Sequence, residues 1–202
     1  MNYINLKNKK HYLTDAQAEA IKKILTENKV ELSTIPVGEP FSIGDVEFVV
    51  LEQSGDTTAV ITRELIKDSV KFSDDSNNYK DSIVADECDA FGEHIANLIG
   101  EDNLIEHTVD LTSDDGLKDY GTVKKKMSLL TCELYRRYVE ILDKHSVEKW
   151  WWLATAYSTP KHDADNWVKC VSPSGIIDYG SYDGGYGVRP FCILKSNIFV
   201  SK

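Results

Sequence analysis

The sequence predicts an α+β fold, with twisted antiparallel strands, two packed helices and an N-terminal helical arm. Three observations carry this. From residue 45 onward, short β-rich apolar runs recur between Gly, Pro, Asn and Asp breakers. Two segments, 82–99 and 132–144, combine helical apolar spacing with capping residues. A third helical segment, 15–28, is set apart by the connector 33–40 with its Pro36, Gly38 and Pro40. The expected division is an arm over 1–36 and an α+β body over 37–202.

In chain order, Thr14 is the N-cap of the first helix, and Gln17 completes a Thr-x-x-Gln capping box. Ala18, Ile21, Ile24 and Leu25 form its apolar stripe, and it ends near Asn28. A hairpin follows: 45–52, a turn at 54–56, and a return strand at 57–62. Residues 73–81, rich in Asp, Ser and Asn, read as a solvated loop. The second helix buries Cys88, Phe91, Ile95 and Leu98, and Gly100 sits where a C-cap glycine belongs. Short strands are expected at 104–111 and 124–130, with a turn at 113–116. Thr131 caps the third helix, whose buried stripe is Leu134, Tyr135, Tyr138, Ile141 and Leu142. The remainder reads as strands at 150–155, 166–172, 176–179 and 188–194, with a tight turn at Pro173-Ser174-Gly175.

A chain of 202 residues, 42% hydrophobic and 28% charged, suits one ordinary domain with a small appendage. No run approaches the roughly 18 apolar residues of a membrane span, and residues 1–10 lack the apolar core of a secretion signal. The expectation is a cytoplasmic protein without membrane contact. Cys88, Cys132, Cys170 and Cys192 form no CxxC pair and read as reduced, buried thiols. The formal charge of −10 is regional: residues 68–120 hold fifteen acids and three bases. Asp86, Glu87, Asp89, Glu93, Asp114 and Asp115 are the expected acidic surface. Such a surface repels phosphate and argues against direct nucleic-acid binding.

Trp151-Trp152-Leu153-Ala154-Thr155, Pro173-Ser174-Gly175 and Gly187-Val188-Arg189-Pro190 form an ordered set. It resembles an uncharacterised domain family of phages, prophages and gut Firmicutes with the pattern Trp-Trp-Leu-Arg-Ser … Gly-Val-Arg-Pro. The resemblance extends over about 38–200, with Ala154-Thr155 replacing the usual Arg-Ser. It implies a fold distantly similar to C-type-lectin-like and formylglycine-generating-enzyme-like domains. The enzyme branch of that fold uses a closely spaced cysteine pair. Cys170 and Cys192 are too far apart in the chain for that activity to carry over.

Consecutive tryptophans on a strand face opposite ways, so Trp152 is expected in the core and Trp151 toward a helix or a ligand. Arg189 is expected to point inward and to bond carbonyls or a carboxylate. Tyr179, Tyr182, Asp183 and Tyr186, among the glycines of 180–187, are the expected ligand contacts, because tyrosine offers contact area at low entropic cost. No phosphate loop or nucleophile elbow is present. Asp163-Ala164-Asp165-Asn166 begins like a calcium loop but lacks its glycine and closing glutamate. No catalytic residue, metal or cofactor is therefore assigned.

The expected function is a non-enzymatic, phage- or prophage-type interaction protein that binds a host macromolecule, with a protein as partner. One version is an acidic, DNA-mimicking inhibitor of a host defence nuclease. The alternatives are a lectin-like or receptor-binding virion module, and a hydrolase.

Overall fold

A computed structural model describes residues 2–6, 9–18 and 29–202. The chain opens with a hairpin that the sequence reading did not anticipate. β1 (Asn2–Leu6) pairs antiparallel with β2 (Lys9–Leu13), Asn2 opposite Leu13 and Leu6 opposite Lys9. Its Tyr, Ile and Leu residues are good strand formers, hidden in the sequence by the lysines and asparagines between them. Residues 15–18 then form a helical turn. The capping box is made as expected: the Gln17 amide donates to Thr14 Oγ1 at 3.2 Å, and the Thr14 amide donates to Gln17 Oε1 at 3.0 Å. Ile21, Ile24, Leu25 and the expected helix end near Asn28 lie outside the described residues.

β3 (Lys29–Glu31) and a short 3₁₀ turn over 32–34 follow. Leu32 and Ile35 are buried in the main core. The stretch 29–35, assigned to the arm on sequence, is thus built into the body. Its leucine and isoleucine have apolar surface to bury, and strand pairing provides the place. β4 (Pro40–Ile43), β5 (Val46–Ser54), β6 (Thr57–Thr62) and β7 (Lys67–Lys71) come next. The expected hairpin is β5–β6, turned at Gly55, whose φ is +56°.

Helix α1 (Ile83–Ile99) starts where Ser82 Oγ accepts from the Ala85 amide at 3.2 Å, and it ends at Gly100. It buries Val84, Ala85, Cys88, Gly92 and Ile95. Leu98, placed on that stripe by spacing, is instead exposed. The last turn passes over Gly44, where any Cβ would stand 3.0 Å from a Leu98 methyl. Short strands β8 (Leu104–Ile105), β9 (His107–Asp110), β10 (Thr122–Lys125) and β11 (Met127–Ser128) lead into α2 (Cys132–Leu142), capped by Thr131. The chain finishes with β12 (Trp151–Ala156), β13 (Trp167–Val171), β14 (Ile177–Ser181), β15 (Gly185–Val188), β16 (Phe191–Lys195) and β17 (Phe199–Ser201).

The result is a mixed α+β fold with mostly antiparallel sheets. An eight-stranded sheet runs β11-β16-β6-β5-β4-β17-β3, with β8 also on β16. A five-stranded sheet runs β14-β13-β12-β15-β7; its β12–β15 pair is parallel. Both faces of β5 are covered, which explains its unbroken run Phe48-Val49-Val50-Leu51. Phe48 and Val50 join one core with α1, Trp152, Cys170 and Val188. Val49 and Leu51 join a second with α2, Trp151, Leu153 and Val171. The two tryptophans therefore fill two different cores from adjacent positions on β12.

Candidate functional site

β13 alternates Trp167, Lys169 and Val171 on one face of the five-stranded sheet, and the register sets Lys169 opposite Tyr179 on β14. Helix α2 covers only part of that face. Its Tyr135, Tyr138 and Leu142 pack over Trp151, Leu153, Val171 and Ile177. The helix begins where the Cys132 amide donates to Thr155 Oγ1 at 2.9 Å. Beyond that point no helix among the described residues lies over the sheet, and three aromatic rings stand open: Tyr157 and Trp167, each 39% exposed, and Tyr179, 49% exposed.

These rings form one cluster. The Tyr157 and Tyr179 centroids are 5.1 Å apart, and Trp167 meets Tyr179 edge-on at 5.6 Å. Lys169, only 7% exposed, lies beneath them with Nζ 5.5 Å from the Tyr157 ring centre and 5.8 Å from that of Tyr179. Its ammonium is balanced by Asp114 at 3.2 Å, and Arg136 of α2 bonds the other oxygen of that carboxylate at 3.3 Å. Cation–π and ion-pair contacts together fix the ring cluster from below.

Beside the rings is a depression of about 370 Å³ lined by Asp114, Asp115, Tyr157, Ser158, His162 and Ala164. Asp115 organises it. One carboxylate oxygen accepts from Ser113 Oγ; the other accepts from Ser158 Oγ at 2.6 Å and from His162 Nδ1 at 2.9 Å. The Ser113 and Ser158 hydroxyls hold this carboxyl well below the usual carboxylate range, against a small opposing effect of burial. Nucleophilic catalysis needs the serine hydroxyl on the imidazole, with the acid behind it. Here serine and histidine both bond one carboxylate, so Asp115 ties the 113–117 turn to the 158–162 loop. Asn77 extends the same bracing, donating to the Ser158 and Trp167 carbonyls at 2.9 Å and accepting from Tyr120 Oη at 2.6 Å.

Of the residues expected to contact a ligand, Tyr179 is on this face and Asp183 is exposed at the β14–β15 turn. Trp151 is not at a surface. It is 2% exposed, faces α2 and packs at a tilt against the Tyr135 ring at 5.8 Å, because the helix fills the place left open for a ligand. Tyr186 turns inward between Trp150 and Trp152, with centroids at 5.9 and 4.4 Å. Tyr182 is half-buried, and its carbonyl accepts from the Phe72 and Ser73 amides. Trp152 is fully buried and donates from Nε1 to the Val70 carbonyl. Arg189 is 1% exposed and donates to the carbonyls of Thr62, Arg63 and His145. Tyr157, Trp167 and Lys169 went unrecognised on sequence. The available signal was Trp167-Val168-Lys169-Cys170, an aromatic and a lysine at the outward positions of an alternating strand.

The acids expected as one surface are divided. Asp114 and Asp115 belong to the aromatic face. Asp86, Glu87, Asp89 and Glu93 lie on α1, where Glu87 pairs with Lys67 and Asp89 with Lys125. Lys126 pairs with Glu101 and Lys124 with Glu106. All four cysteines are free and buried. Among the described residues no three His, Cys, Asp or Glu side chains converge as a metal site, and no helix is long and apolar enough to cross a membrane.

The fold and site define an α+β domain with a braced aromatic face. Over residues 106–196 the chain is similar to a family described as a domain of unknown function (DUF6273), which takes in that whole face. No curated protein and no solved structure matches the chain.

Proposed function

We propose that this protein is a lectin-like recognition module whose Tyr157–Trp167–Tyr179 face binds a glycan. The supporting observation is that three rings, held by buried bracing, stay open to solvent beside charged groups able to bond hydroxyls. Aromatic faces carry negative quadrupole charge and attract the slightly positive C–H face of a sugar ring. Asp114 and Arg136 supply an acceptor and a donor at the rim. Surface aromatics scattered singly need no explanation, but a fixed cluster of three does. The acidic segment supports nuclease mimicry less well, because lysines interrupt its carboxylates and break up the field a DNA mimic presents.

A glycan array followed by titration of any hit tests the reading. Tyr179→Ala and Trp167→Ala are expected to weaken binding about three- to tenfold each, equivalent to about 0.5–1.5 kcal/mol per ring contact. Neither substitution should lower the melting temperature appreciably, since both rings are partly in solvent. A silent array, or a glycan whose affinity survives both substitutions, would falsify the assignment.

A further inference from the structure

The three rings of the aromatic face touch one another, so no sugar can slide between them. Tyr179 is the middle ring and the most open. Its plane lies 52° from that of Tyr157 and 77° from that of Trp167. A flat ligand lying face-on to Tyr179 therefore cannot lie face-on to either neighbour. It meets them at its rim instead.

These angles are held from behind. The Tyr157 amide donates to the Trp167 carbonyl at 2.9 Å, and the same carbonyl accepts from Asn77 Nδ2. The Tyr179 amide donates to Asp178 Oδ1 at 2.9 Å, and the Lys169 ammonium lies under both tyrosines. Levelling the rings into one plane would break their contacts with each other and with Lys169. The depression against Tyr157 adds a second restriction. Its lining contains two carboxylates, Asp114 and Asp115, and no lysine or arginine. Asp115 keeps its charge at neutral pH because the Ser113 and Ser158 hydroxyls stabilise the carboxylate. A carboxylate or sulfate on the sugar is repelled there.

We infer, resting on the glycan reading above, that this face takes one neutral, gluco-configured sugar residue at a time, stacked on Tyr179 with Tyr157 and Trp167 at its rim. It does not read the flat ribbon of a polysaccharide, whose successive sugars need successive rings in one plane. In a gluco-configured pyranose the ring hydroxyls are equatorial, so both faces present only C–H bonds to the negative face of the aromatic ring.

The test titrates the full chain with methyl β-glucoside and cellotriose, and with methyl β-N-acetylglucosaminide and chitotriose, followed by NMR. At least one single-residue glycoside should saturably shift the Trp167 indole proton and the Tyr179 amide. Its trisaccharide should bind within about threefold, the statistical gain from three residues in place of one. A platform stacking three successive sugars would add two ring contacts, and the trisaccharide would then gain about tenfold or more. Methyl β-glucuronide, which adds a carboxylate, should bind more weakly than methyl β-glucoside, and microcrystalline cellulose should not retain the protein. A tenfold gain with the trisaccharide, retention on cellulose, or a glucuronide that binds as tightly overturns the inference and leaves a glycan site standing. Absence of saturable shifts with all of these sugars also overturns it, and the glycan array then shows whether the glycan reading falls as well.

Discussion

Arg189 donates to carbonyls from two separate segments, Thr62 and Arg63 on one side and His145 on the other, and its guanidinium lies 5.4 Å from the Trp151 ring centre. Burial holds its pKa down to about 10, with Glu64 and Tyr135 partly offsetting, so it is charged at neutral pH. A planar fork can serve three acceptors at fixed angles; an ammonium cannot. Arg189→Lys should therefore cost about 2–4 kcal/mol in urea unfolding, with the carbonyls it abandons left buried. A lysine variant as stable as the parent would show that charge alone is needed there. His107 is a second, half-buried titratable group, edge-on to Phe191 at 5.3 Å, with Nε2 2.9 Å from Ser128 Oγ. Burial lowers its pKa from 6.5, against the opposing influence of the Ile105 backbone and Glu106. The unfolded chain thus takes up a proton at higher pH than the folded one. The stability from keeping this ring neutral is complete above the unfolded value and declines as pH falls below it toward the folded value. Unfolding midpoints followed from neutral pH down to about pH 5 should show that decline, and His107→Gln should flatten it. Asp110 and Asp115, whose pKa values are lowered from 3.8, contribute losses only at more acidic pH.

At the scale of elements, legibility followed locality. Thr14, Ser82 and Thr131 announce helix starts because a capping hydroxyl needs only the amide three residues on. The β5–β6 hairpin and the Pro173–Gly175 turn are equally local. The glycines of 180–187 misled for a complementary reason. They read as the setting of a ligand-contact loop, yet Gly180 and Gly187 are buried strand residues. A Cβ on Gly180 would stand 2.3 Å from the Tyr186 ring, and one on Gly187 would stand 2.4 Å from a Leu65 methyl. Gly187 is a glycine because Leu65, distant in sequence, presses against the backbone; the partner of Gly180 is close in the chain, but only the fold shows that the Tyr186 ring turns back over that strand. The aromatic face was partly hidden in the same way. Tyr179 is recognisable by composition. Its neighbours Tyr157 and Trp167 join it only through the β13–β14 register and the point at which α2 begins. Trp151 faced the correct side of its strand, but whether helix or ligand covered it depended on that same helix.

The sheets also determine how the whole molecule divides. The region similar to a known family, 106–196, supplies most of the five-stranded sheet and the β16 strand of the larger one. It does not close on itself. β16 pairs along its full length with β6, from Phe191–Ile61 to Lys195–Thr57, and β15 pairs with β7. Trp152 Nε1 donates to the Val70 carbonyl, and two of the three Arg189 acceptors lie at 62–63. The Asn77 side chain that braces the aromatic face comes from the same earlier part of the chain. A fragment of 106–196 alone would bare Cys192 and Leu194 and leave two unpaired strand edges, a combination that favours aggregation. Its tryptophans should show solvent-exposed fluorescence, and its NMR spectrum should lack the dispersion of packed strands. Adding 29–105 in trans should restore both, because that piece carries β3 to β8 and α1. A 106–196 fragment that folds cooperatively by itself would show that these inter-segment pairings decorate the domain rather than complete it.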